Sequence, residues 1–143
     1  MPKTFMSQTT SEEIKRTVQR FEDCDFAADE FHHSDHLTVA LCYLLESTEV
    51  EASARMRAGL LRFLNHHGLR DAYHETITVF WIRVVRRLLD KADNTLSLAE
   101  LANVILSQCN NTARIDAYFS SELLSSEEAR MAWVEPDLRP LES

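Results

Sequence analysis

The sequence is poor in residues that break regular structure. It has two glycines, Gly59 and Gly68, and three prolines, Pro2, Pro136 and Pro140, in 143 residues. That scarcity argues against a turn-rich β fold and leaves no glycine loop to cradle a phosphate. Cysteine is scarce too. Cys24, Cys42 and Cys109 are odd in number and lack metal-type spacing, so they read as reduced thiols of a cytoplasmic protein. Cys42 has no base near it in sequence and reads as a small core residue. No run reaches the ~18 apolar residues of a membrane span. The start, Met1-Pro2-Lys3-Thr4-Phe5, lacks the apolar core of a secretion signal. Positive charge is in deficit, with 15 Lys and Arg against 23 Asp and Glu and a net charge of −8. That balance disfavours nucleic acid and anionic membranes as partners.

What remains is a helical pattern. Apolar residues make up 45% of the chain, enough for a globular core in a single helical domain spanning 1–143. Residues 1–9 and 136–143 read as loose tails. Thr10 with Glu13 forms a capping box that opens a first helix with the stripe Ile14, Val18, Phe21. A second helix is expected over about His33 to Glu46, with His33, Leu37, Ala40, Leu41 and Leu44 on one face. A third covers about Val50 to His67 and stops at Gly68. The fourth, about Ala72 to Lys91, is apolar nearly all round and belongs at the centre of a bundle. Ser97 with Glu100 opens a fifth, a sixth is expected over Ala113 to Leu124, and Ser125 with Glu128 opens a short last helix before Pro136. The expected fold class is all-α, a single-domain bundle of five to seven helices.

All six histidines lie between positions 32 and 74. His33 and His36 are three apart, so both can face one point from a single helical turn. His74 lies at the start of the fourth helix. Short loops make neighbouring helices antiparallel, so the second and fourth run parallel with their N-terminal ends together. His33, His36 and His74 are therefore candidate ligands for Zn(II) or Fe(II). Glu75 is adjacent to His74 and diverges from it by about 100° on a helix. Glu75 and Asp35, with His74, are candidate catalytic groups that orient ligands or move protons. Tyr73, Thr78 and Trp81 are candidate walls of a ligand pocket, although Trp81 continues the apolar face and reads first as a core residue. His32, His66 and His67 read as bystanders. Arg83, Arg86 and Arg87 read as a solvated or salt-bridged patch.

Phe31-x-His33-x-Asp35-His36 before an apolar helix, followed by Tyr73-His74-Glu75-Thr76-Ile77-Thr78, resembles a family of small uncharacterised bacterial proteins. The resemblance spans roughly residues 26–90. The tail, Ala129-Arg130 to Trp133 and then Pro136-Asp137-Leu138, is similar as well. It implies a shared helical fold and emphasis on the two motifs, with no assigned activity. Two functions stay open. One is a small metal-dependent or acid–base enzyme acting on a small polar metabolite at the N-terminal ends of two bundle helices. The other is a non-catalytic helical module that binds a small ligand or a protein, with a structural His/Glu cluster. Homodimerisation is compatible with a chain this apolar.

Overall fold

Three reciprocal hydrogen-bonded boxes set the starts of long helices. In the computed structural model, which describes residues 10–111 and 115–141, the Thr10 hydroxyl accepts from Glu13 N at 3.1 Å. The Glu13 carboxylate accepts from Thr10 N at 2.9 Å. Thr48 with Glu51 and Ser97 with Glu100 repeat the arrangement. Each box satisfies two backbone N–H groups that a helix start leaves unpaired. They open α1 (Ser11–Glu22), α3 (Glu49–His66) and α5 (Leu98–Asn111). Between these lie α2 (His33–Glu46) and α4 (Glu75–Lys91), the latter preceded by a 3₁₀ turn over Arg70–Ala72. After a second 3₁₀ turn, Ile115–Ala117, come the short helices α6 (Ser121–Leu124) and α7 (Glu127–Met131). No strand occurs among the described residues, so the expected all-α bundle holds.

The C-terminal region departs from the expected pattern. Of the sixth helix expected over Ala113 to Leu124, residues 113 and 114 lie outside the described residues. Ser120 breaks the rest. Its hydroxyl accepts from Leu123 N at 3.1 Å to start α6. Its own N and Oγ donate to Asp137 at 2.8 and 2.6 Å. Ser126, not Ser125, caps α7, accepting from Ala129 N at 3.2 Å. Residues 136–141 are tethered, not loose: beyond Asp137, Leu138 N donates to Tyr118 O at 2.9 Å. The segment 115–141 forms a strap on α4: Tyr118 and Phe119 pack on Phe80, Thr76 bonds the backbone at Ala132 and Val134, and Arg83 lies over Trp133.

Contacts along the long helices fix their directions. Arg55 of α3 lies over the Tyr43 ring and pairs with Glu46, both late in α2, so these two helices run antiparallel. Arg57 meets Glu75 while Glu49 meets Arg83, so α3 and α4 are antiparallel as well. α2 and α4 therefore run parallel, as the loop lengths predict. The core between them holds Leu37 and Leu41, Met56 of α3, Phe80, Ile82 and Val85 of α4, and Ile105 of α5, each at most 1% exposed. Burying a side chain of this size contributes about 1.5–3 kcal/mol.

At Gly59, α3 leaves room for the Phe21 ring of α1. A Cβ there would overlap the Phe21 ring. That ring is fully buried, stacked on Phe31 at 5.0 Å and tilted against Phe63 at 6.4 Å, so it has nowhere to retreat. Overpacking costs about 1–3 kcal/mol, more than the ~1 kcal/mol that alanine gains over glycine in helix propensity. Gly59→Ala is expected to lower the stability measured by urea denaturation. An unchanged or raised midpoint would refute the close-packing argument.

Candidate functional site

The six residues Tyr73 to Thr78 form a junction. His74 is the N-cap of α4: its Nδ1 accepts from Ile77 N at 3.2 Å. An accepting Nδ1 carries no proton, so Nε2 carries it and donates to Leu124 O, at 2.8 Å, on the strap. Both ring nitrogens are therefore committed to backbone. Thr76, fully buried, donates from Oγ1 to Ala132 O at 2.9 Å and accepts from Val134 N at 3.2 Å. Thr78 donates to His74 O at 2.9 Å. Three of the six side chains thus anchor the strap or the helix start.

Tyr73 and Glu75 face elsewhere. Arg57 grips Glu75 with two hydrogen bonds, Nε to Oε1 at 2.9 Å and Nη2 to Oε2 at 2.6 Å. The Tyr73 hydroxyl donates to the same Oε1 at 2.5 Å. The Arg57 contact, aided by Tyr73, holds the Glu75 carboxyl below its ordinary range against the opposing effect of burial. Burial, reinforced by the Glu75 carboxylate, pushes the Tyr73 phenol up. Glu75 is thereby fixed as a carboxylate and Tyr73 as a neutral donor.

The histidine ligand set is not assembled. His33 opens α2 and packs edge-on to Trp81 at 4.5 Å. Trp81 lies six residues into α4 beyond Glu75, and His74 one residue before it. At ~1.5 Å rise per residue this stagger sets His33 about 10 Å along the bundle from His74. His36 packs under Phe31 and His33, with Nε2 buried and unpartnered. Burial first, and then His33, push its imidazole down to about 4. Asp35 accepts from His32 N at 2.9 Å and acts as a capping carboxylate at the start of α2. Among the described residues no three or more His, Cys, Asp or Glu are grouped to hold a metal. Trp81 is 6% exposed, wedged between His33 and Phe80, and Thr78 is 3% exposed, so both are core residues and not pocket walls. Of the bystanders, His67 ties Phe26 O to the end of α3 at 2.9 Å. The thiols of Cys42 and Cys109 are pushed up to about 11, by burial in both and by Glu46 at Cys42, so neither is a ready nucleophile.

A cavity of about 510 Å³ opens beside the junction. One wall comes from the bundle: Arg57, Leu61, Arg70, Asp71, Tyr73 and Glu75. The strap supplies the other: Arg130, Met131, Ala132 and Trp133. Arg130 Nη1 donates to Asp71 O across the gap at 3.3 Å. Trp133 is pinned by Arg83 over its ring at 4.2 Å and by Phe119 at right angles, 5.8 Å away. Its indole N–H donates to Glu135 at 2.9 Å. Of the expected site residues, Tyr73 and Glu75 reach this cavity. The two motifs do not contain Arg57, Arg70 or the four strap residues Arg130 to Trp133. Arg130 and Trp133 did lie in the tail pattern, which was the available signal.

The chain matches no family model, and neither curated proteins nor solved structures contain a match. Among the described residues no helix is long and apolar enough to cross a membrane.

Proposed function

We propose that the protein is a small-ligand-binding helical module whose cavity takes a small organic anion. The observation that carries this is the gathering of three guanidiniums around one cavity in a chain of net charge −8. Its volume falls in the range of about 300–1,000 Å³ common for small-molecule sites. Guanidiniums are permanently charged, multidentate donors suited to carboxylates and phosphates. Binding is better supported than catalysis. Glu75 is held ionised and Tyr73 protonated, so neither is poised to exchange a proton near neutral pH. The His/Glu motif then serves the architecture: it builds the junction that holds both cavity walls.

The test is a panel of small carboxylates and phosphates followed by NMR chemical-shift perturbation. Shifts are expected at residues 57, 70–75 and 130–133. Arg130→Ala is expected to weaken binding about tenfold, because a hydrogen bond to a charged group is worth about 1.5–3 kcal/mol. Perturbations centred on His33 and His36, or no binding across the panel, would reject the proposal.

A further inference from the structure

Resting on the binding role proposed above, we infer that the cavity selects a monoanion with a flat apolar body, an aromatic monocarboxylate. The lining charges decide the ligand's charge. Arg57 is already committed to Glu75 through two hydrogen bonds. Arg70 and Arg130 form no ion pair among the described residues. They stand on opposite walls, one on the bundle and one on the strap. With Asp71 and Glu75 counted against the three arginines, one positive charge is left over. One carboxylate neutralises it and has a guanidinium on either side. A second negative charge meets the Asp71 and Glu75 carboxylates at short range, inside a protein already at −8.

The apolar walls decide the ligand's body. Leu61, Met131 and Trp133 line the same cavity as the arginines. Met131 is 64% exposed, so a ligand has apolar surface to cover there. Trp133 is immobilised by Arg83, Phe119 and its own bond to Glu135, which makes the indole a rigid flat surface. Ordering it on binding costs little entropy, and a planar ring matches it. A ligand held this way touches both walls, and so ties the strap to the bundle.

Four probes separate charge from shape when titrated calorimetrically into the full chain: benzoate, acetate, benzyl alcohol and terephthalate. Benzoate is expected to bind at least roughly fivefold more tightly than each of the others, the effect of about one unfavourable charge contact or one lost apolar face. Asp71→Asn raises the net lining charge by one, and is expected to reverse the order of benzoate and terephthalate. Tighter terephthalate than benzoate in the unsubstituted protein overturns the inference but leaves an anion pocket standing, as does acetate equal to benzoate. An unchanged order in Asp71→Asn also counts against the charge argument. Failure of all three anions to bind overturns the binding role and the inference together.

Discussion

Phe119→Ala will lower stability by about 3–5 kcal/mol, the usual result of truncating a buried phenylalanine, and is expected to abolish the anion binding proposed for the cavity. Phe119 is 1% exposed and is the main apolar anchor of the strap. It packs against Phe80 of α4 at 5.9 Å and against Trp133 at 5.8 Å. Its removal leaves a ring-sized void between α4 and the strap and takes away one of the contacts that orient the indole. The polar latches at His74 and Thr76 then have to hold the strap without its apolar filling. Each is a net contribution of only about 0.5–1.5 kcal/mol, which does not offset the lost ring. Hydrogen exchange is expected to show the strap amides, from about Phe119 to Val134, losing protection before those of α2 and α4. Simultaneous loss of protection throughout the chain would mean that the strap has no independent opening. A cost below 1 kcal/mol would mean that the ring is not the anchor.

The contrast between backbone and site explains what the sequence could reveal. Capping boxes are local: Thr10 with Glu13 and Ser97 with Glu100 are legible because donor and acceptor lie three residues apart. Helix direction is nearly local, since short loops enforce reversal. The stagger between parallel helices is not. It is set by packing between residues far apart in sequence, such as Phe31 against Phe63 at 5.3 Å and His33 against Trp81 at 4.5 Å. His33 and His74 stand at the starts of helices that run the same way, but the stagger separates them by about two turns of helix. His74 carried a second ambiguity. A histidine at a helix start reads as a free ligand, yet here its Nδ1 acts as the N-cap acceptor and its Nε2–H reaches Leu124, fifty residues away. The cavity was illegible for a related reason. Its charged walls come from three separate stretches of chain, and only the fold brings Arg57, Arg70 and Arg130 together.

Acidification will expose the imidazole whose charged form the fold disfavours most, that of His36. The His36 Nε2 is buried without a partner, and burial, aided by neighbouring His33, sets its pKa at about 4. In the unfolded chain the same side chain titrates near its ordinary value of about 6.5. Between these two values the unfolded state binds more protons than the folded state, so stability rises with pH through this window and is lost as pH falls. Above about 6.5 both states are neutral and the effect vanishes. The full span is worth roughly 3 kcal/mol. His33 has its pKa lowered by burial too, and adds a slope of the same sign. The Glu75 carboxyl, lowered chiefly by Arg57, loses its contribution only further down, as pH falls below the ordinary carboxylate range. The interval from about 6.5 to 4.5 therefore isolates the histidines. His36→Leu keeps a similar volume, removes the unpartnered nitrogen, and cannot titrate. Urea denaturation at pH 7.5 is expected to find it at least as stable as the parent protein, since a buried polar atom without a partner is costly in itself. Over the histidine window its stability is expected to fall by only a fraction of the parent's loss. Parallel pH–stability curves for the two proteins would show instead that water or a side-chain rearrangement reaches His36, and that the imidazole is not sealed beneath Phe31.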